Sequence, residues 1–344
     1  MKQVVAALAV GVAVCATSVQ TAWAATMEIL RFEDLNGWAA DDHDAALSVF
    51  LETCGDLKDP EWAPLCNLAK TTPNARTFFE LFFRPVLIGG EKPALFTGYF
   101  EPELNGSRTR TGQFRFPVYR KPPELASKQR WRTRQEIEDD GVLAGRGLEI
   151  AWVDDSVELF FLQIQGSGRI RLQDGSYIRV GYGGANGHEY KSVGQEMVRR
   201  GIYKPHQVSA QVIQNWVRRN PADGKALLQH NPSYVFFRPV THVPADKGPL
   251  GAMNRSITAL RSIAVDPAFT PLGAPVWIEK GGKGPMRRLM IAQDTGSAIK
   301  GAQRADIFFG TGDAAGQAAG TVRDRGRMVV LLPIDRAYAL VPGG

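Results

Sequence analysis

Apolar and polar positions along this 344-residue chain change rhythm three times. Between residues 41 and 83 the apolar residues recur at helical spacing. One run follows the cap candidates Asp41 and Asp42 and carries Ala45, Leu47, Val49 and Phe50; a second follows Thr72-Pro73-Asn74 and carries Phe78, Phe79, Phe82 and Phe83. An aromatic stripe of this kind predicts core. From about residue 95 the runs shorten to pieces rich in Phe, Tyr, Val and Ile, divided by Gly, Pro and Asn: LFTGYFEPELNGS, FRFPVYRKP, VELFFLQIQGSGRIRL and SYIRVGYGG. These read as strands of a barrel or sandwich. Helices are predicted again over 189–200, stopped by Gly201, and over 208–218 behind the cap candidate Ser209. Pro232 and Pro239 bracket a turn into new strand texture. The remaining residues alternate strand-like pieces (SITALRSIAV, PVWIEK, RRLMIAQD, RMVVLLP) with glycine-rich turns. The expected fold is mainly β with flanking helices, and a small barrel of interleaved strands would bring Asp266, Asp294 and Asp306 to one face.

A hydrophobic content of 44% with 22% charged residues indicates a globular protein with a substantial core. The opening residues, MKQVVAALAVGVAVCATSVQTAWA, set Lys2 before an uncharged apolar stretch and end on Ala22-Trp23-Ala24, which predicts a secretory signal cleaved after Ala24. A lipid anchor at Cys15 is disfavoured, because Val14 stands where a small residue is wanted. Cys54 and Cys66 remain, and an even pair in an exported protein can close a disulfide; two reduced buried thiols are the alternative. The formal charge of +6 suits an anionic polymer of the cell envelope. Nucleic acid is not the expected partner, since the basic residues are scattered instead of forming a stripe interleaved with aromatics.

The run AQDTGSAIKGAQRADIFFG, residues 292–310, is where chemistry is expected. It sets Asp294 and Asp306 among glycines and small residues with apolar flanks. A carboxyl that donates and recovers a proton near neutral pH needs a raised pKa, which burial or a second carboxylate supplies. Asp306, between Ala305 and Ile307-Phe308-Phe309, meets that requirement best. A Ser/His/Asp hydrolase is poorly supported: no Gly-x-Ser-x-Gly elbow is present and the five histidines stand alone. The same isolation argues against zinc. Calcium on Asp266, Asp294 and Asp306 would need a denser run of acids. No metal or cofactor is expected, and carboxylate chemistry on a glycan remains. Gly166-Ser167-Gly168 reads as a tight turn offering backbone amides to a ligand, with a plain hairpin turn as the alternative. Of Gln163 and Gln165 on the strand predicted before it, Gln165 is the expected sugar contact. Tyr99 and Glu101 share one face of their strand and are further candidates for glycan binding.

Taken together, GYFEPELNGS (98–107), FFLQIQGSGRI (160–170), NPSYVFFR (231–238), AVDPAFTPLG (264–273) and DTGSAIKGAQRADIFFG (294–310) resemble the membrane-bound lytic transglycosylase A family of peptidoglycan-cleaving enzymes. The resemblance covers nearly all of the chain after residue 24. It implies a helical part over 25–97, an inserted β-rich domain over 98–238 and a double-psi β-barrel over 239–344, with a cleft between the two. It places the family's three aspartates on Asp266, Asp294 and Asp306 and its catalytic acid on Asp306, with Tyr99, Glu101, Gln165, Ser167 and Gly168 as substrate contacts. Where the family turn usually reads Asp-x-Gly-Gly, Ser297 stands for the second glycine, and a small residue is kept. The implied activity is cleavage of the β-1,4 bond between N-acetylmuramic acid and N-acetylglucosamine with 1,6-anhydro ends. The implied location is the periplasm, with outer-membrane association left open; glycan strands and other cell-wall enzymes are the implied partners of a monomer. A hydrolytic muramidase using Asp306 with Asp294, and a non-catalytic glycan-binding module, are the alternatives.

Overall fold

The computed structural model describes residues 25–57, 59–125, 129–244 and 246–341; the predicted signal and Cys15 lie outside them. Strand β1 (Met27–Ile29) precedes helix α1 (His43–Thr53), whose N-cap is Asp42: its carboxylate accepts the Ala45 N–H. Asp41, the other cap candidate, holds Arg261 with both oxygens instead. Helices α2 (Trp62–Thr71) and α3 (Ala75–Phe82) follow, the second capped by Asn74. The aromatic stripe is core: Phe78, Phe79 and Phe83 meet Phe50 at centroid distances of 6.0 to 6.2 Å, and Phe83 meets Trp62 at 5.9 Å. Phe83 does not continue the helix but opens strand β2 (Phe83–Ile88), since Pro85 cannot extend an α-helix. A disulfide joins Cys54, at the end of α1, to Cys66 in α2.

Strand β3 (Ala94–Glu101) runs into a second sheet. Its parts in chain order are β4 (Glu103–Ser107), β5 (Phe116–Tyr119), α4 (Arg134–Asp139), β6 (Glu149–Val153), α5 (Ser156–Gln165), β7 (Gly168–Leu172), β8 (Tyr177–Ala185), α6 (Val193–Arg199), α7 (Ala210–Arg219), α8 (Pro221–Leu228) and β9 (Val235–Pro239). The strands lie in the order β5-β6-β4-β7-β8-β9, and a bridge from Arg120 to Phe237 brings the two edges together into a nearly closed barrel. Leu104, Val118, Val153, Ile170, Val180 and Phe237 fill it, covered by Leu159 and Leu162 of α5.

Helix α5 corrects the sequence reading, which expected a strand through VELFFLQIQ. Asp155 caps it by accepting the Val157 and Glu158 N–H groups, and Gly166 ends it at φ +80°. Its buried residues Val157, Phe160, Leu159 and Leu162 are spaced by three, which is a helical period. The helix expected over 189–200 is shorter, because Ser192 is its cap, whereas α7 starts behind Ser209 as its sequence predicts.

The remaining strands, β10 (Ser262–Val265), β11 (Pro275–Lys280), β12 (Met286–Thr295), β13 (Arg304–Thr311) and β14 (Arg323–Pro333), close with β3 into a six-strand barrel ordered β14-β11-β12-β10-β13-β3 and back to β14. Helix α9 (Asp313–Gly320) lies between β13 and β14, and α10 (Ile334–Leu340) follows them. Two of the pairings, β10 with β12 and β3 with β13, are parallel, and the rest of the ring is antiparallel. Interior positions alternate along every strand: Ala94 and Phe96, Ile263 and Val265, Val276 and Ile278, Met290 and Ala292, Ala305 and Ile307. The intervening residues face outward, which turns Asp306 out, and the register shift between Ile263 and Ala264, opposite Gln293, brings Asp294 to that same face although it shares the parity of Met290 and Ala292.

Candidate active site

Asp306 lies on β13 between the inward-facing Ala305 and Ile307, so its carboxyl points out of the barrel. The Thr97 hydroxyl on β3 donates to its Oδ1 at 2.5 Å, and Arg304 Nη2 donates to that hydroxyl's oxygen at 2.8 Å. One hydroxyl thus relays polarisation from a guanidinium to a carboxyl. Burial pushes the Asp306 carboxyl above its ordinary range, and the Thr97 hydrogen bond and the Arg304 charge restrain the rise. Among the described residues no donor reaches Oδ2.

Asp294, near the end of β12, stands level with Asp306. Both are registered against Ala264 of β10, one on each side, and Thr97 continues the row on β3. Adjacent strands are about 5 Å apart, so the two backbones are about 10 Å apart across the alanine. Oδ1 of Asp294 accepts the Ala252 and Thr295 N–H groups at 2.9 Å, and Oδ2 accepts the Tyr99 hydroxyl at 2.9 Å. Burial, with the charge of Asp306 adding to it, lifts this carboxyl to about 6 against the pull of its three donors. Tyr99 packs its ring on Phe308 at 5.3 Å, and burial followed by the Asp294 charge keeps its hydroxyl protonated.

Asp266, two residues beyond Ala264, is buried and spent on backbone: Oδ1 accepts the Ala268 N–H and Oδ2 the Gly301 N–H. It ties the turn after β10 to the loop between β12 and β13. Ser297 in that loop needs no special conformation, since the non-glycine residues with positive φ among those described are Asn254 and Leu260.

The other expected contacts divide. Gln165, at the end of α5, accepts the Phe100 N–H at its Oε1, fixing the helix against β3. Ser167 is half-buried in the turn. A Cβ on Gly168 would lie 2.4 Å from Leu162 Cδ1 and 3.0 Å from Pro102 O, so glycine there serves close packing. Glu101 is 0% exposed: its Oε2 takes Arg169 Nε and the Thr311 hydroxyl, and Arg179 Nε lies 3.3 Å from Oε1. Its carboxylate is therefore closed to a sugar in this structure and pins the second sheet to the barrel. The same two arginines bind the Pro244 and Lys247 carbonyls of the returning segment.

Sequence reasoning missed Thr97 and Arg304, although each stands two residues from a recognised site residue on the same strand face. Ala252 carried no signal, being a backbone donor 42 residues away. A cavity of about 1110 Å³ in the second sheet's part, lined by Phe116, Trp152, Arg110 and Arg115, contains neither acid.

Comparison with known proteins gives this arrangement a family. Residues 95–238 match the MltA specific insert domain and residues 261–332 the 3D domain. The membrane-bound lytic murein transglycosylase A of Escherichia coli (strain K12) is 38% identical over 246 residues, 69% of this chain and 65% of that relative. The crystal structure of a membrane-bound lytic murein transglycosylase from Agrobacterium tumefaciens superposes with a TM-score of 0.83 at 33% identity, covering 92% of this chain and 99% of the other. Escherichia coli MltA with bound chitohexaose superposes at 0.74, 27% identical, over 89% and 94% of the two chains. Two linked barrels, a row of paired carboxyls on one of them and these relatives lead to one assignment: the chain belongs to the membrane-bound lytic murein transglycosylase A family.

Proposed function

We propose that this protein cleaves the β-1,4 bond between N-acetylmuramic acid and N-acetylglucosamine in peptidoglycan and leaves 1,6-anhydromuramic ends, with Asp306 as its acid and then its base. The observation that carries this reading is the unequal occupancy of the two acids. Both oxygens of Asp294 are taken by protein donors, whereas Oδ2 of Asp306 is left for a ligand. Protonated Asp306 gives its proton to the glycosidic oxygen as the C1–O4 bond breaks. The resulting carboxylate takes the proton of the muramic C6 hydroxyl as O6 bonds to C1, and no water is consumed. Hydrolysis would need a second carboxylate as nucleophile or as base for water. Asp294, held by three hydrogen bonds, is poorly placed for either and serves to keep Asp306 protonated through its charge. Tyr99 and the turn at Ser167 are the proposed glycan contacts, Asp266 a loop anchor.

The relative that binds chitohexaose supports a glycan strand as ligand. The Cys54–Cys66 disulfide supports export to an oxidising compartment, which we take to be the periplasm. Mass spectrometry of soluble products from purified peptidoglycan tests the function. Muropeptides lighter by one water at the muramic end, absent with Asp306→Asn, are expected; reducing ends would assign a hydrolase, and no release a binding module.

A further inference from the structure

The segment 249–257 bears no acid, yet it supplies one of the three donors on Asp294, the Ala252 N–H. It is a small hairpin: Leu250 bridges Ser256, Gly251 N–H donates to Arg255 O, and Ile257 N–H donates to Pro249 O. It lies close on β12. Met253 N–H donates to Gln293 O, and a Cβ on Gly251 would fall 2.6 Å from that same carbonyl, so this approach requires glycine.

The outer side of the hairpin is held from the N-terminal part of the chain. Arg255 Nε donates to Asp56 Oδ2 at 2.5 Å and Nη2 to Oδ1 at 3.2 Å, a two-point grip; Lys247 Nζ reaches Glu52 at 3.4 Å beside it. Asp56 closes the short turn Cys54–Asp56, and the disulfide from Cys54 to Cys66 fixes the start of that turn to α2. A path of covalent and hydrogen bonds therefore runs from the disulfide through Asp56, Arg255 and the hairpin to Asp294.

We propose that Asp56 and Arg255 are positioning residues: the crosslinked turn braces the hairpin so that the Ala252 N–H stays on Asp294. Its effect on turnover rests on the glycan-cleaving reading of the site, while its effect on Asp294 does not. A carboxylate that loses an N–H donor becomes harder to ionise. The groups facing Asp294 are the Tyr99 hydroxyl from β3, the Asp306 carboxyl from β13, the Thr295 N–H of its own strand and the Ala252 N–H of the hairpin. Asp56 is not among them. Deleting its negative charge would, acting directly through space, make Asp294 easier to ionise, whereas loosening the brace makes it harder. The two effects have opposite signs, and one variant separates them.

The experiment is a carboxyl ¹³C NMR titration of the aspartate-labelled protein, the Asp294 signal being assigned by its loss in Asp294→Asn. The Asp56→Ala and Cys54→Ser/Cys66→Ser variants are expected to move the Asp294 midpoint upward by about 0.5 to 1 pH unit, the worth of one hydrogen bond. Asp56→Glu should move it back toward the wild-type value. Asp56→Ala leaves folding nearly untouched, because the Asp56–Arg255 pair is half exposed. A midpoint that is unchanged or lower in Asp56→Ala overturns the brace, and an unchanged midpoint in the serine double variant overturns the disulfide's part in it. A raised midpoint in a protein that releases no anhydro ends would uphold the brace and reject the proposed activity.

Discussion

Asp294 and Asp306 sit on either side of one residue, Ala264, in a row that crosses four strands of the barrel from β12 to β3. Parallel β10–β12 and antiparallel β10–β13 pairing bring to one level two acids that the loop 296–303 separates in sequence. Ala264 faces the same way as both, and its methyl leaves the space between the carboxyls open. Their electrostatic coupling, and the division of labour proposed for them, rest on that register.

The first consequence concerns pH. An acid catalyst works below its pKa, so with Asp306 as the proposed acid the high-pH limb of glycan cleavage should follow its ionisation. A negative charge on Asp294 makes that ionisation harder. Asp294→Asn removes the charge, and the limb is expected to move to lower pH in a profile of kcat/KM for anhydro-product release. A limb that stays in place would show that Asp294 does not govern the Asp306 proton.

Asp294 also bears on stability, with a sign that can be worked out. Its folded pKa of about 6 lies above the ordinary value of 3.8, so between those values the folded protein binds more protons than the unfolded chain. Stability falls as pH rises through that window, and the cost at pH 7 is at most about 3 kcal/mol. Asp294→Asn, which keeps an acceptor for the Ala252 and Thr295 N–H groups, is therefore expected to raise the Tm at pH 7 and to match the wild type below pH 4. Equal melting curves at both pH values would refute this.

Thr97→Val should act on Asp306 in the direction opposite to Asp294→Asn. The valine removes the hydroxyl that stabilises the carboxylate and takes the acceptor from Arg304 Nη2, while Nη1 keeps the Ala305 carbonyl. A hydrogen bond to a charged group is worth roughly 1.5–3 kcal/mol, so the limb should move up by about 1 to 2 pH units, with kcat reduced. Thr97→Ser is expected to restore both. Loss of activity without movement of the limb would assign Thr97 to packing alone.

How far the site could be read in advance follows from the kind of interaction that builds it. The two acids stood out in the sequence by their small and apolar neighbours and Tyr99 by strand alternation, the register shift that turns Asp294 outward left no mark there, and the barrel followed from short runs punctuated by glycine. Helix α5 was misread because its apolar run is dense enough to satisfy either period, and the decisive marks, Asp155 before it and Gly166 after it, lie at its ends. The Ala252 donor was not legible at all, since a backbone N–H leaves no residue type to recognise. The partners of Glu101 were not legible because a strand face states which way a side chain points but not what it meets, and here it meets Arg169 and Arg179 from the second sheet.

Glu101 gives the last prediction, which separates a sugar contact from a structural pin. Its carboxylate is the counter-charge for two arginines that are 16% and 8% exposed in their side chains. Removing one partner of such a buried cluster leaves the others uncompensated, at a cost of about 3–5 kcal/mol. Glu101→Gln is therefore expected to lower the denaturation midpoint sharply, and to loosen the junction where β3 passes into the second sheet and the segment 244–247 returns from it. Residual activity in the folded fraction should keep the wild-type KM, because the glutamine side chain remains turned toward Arg169 and Arg179. The reverse pattern, a raised KM with an unchanged denaturation midpoint, would mean that Glu101 leaves its arginines to meet the glycan.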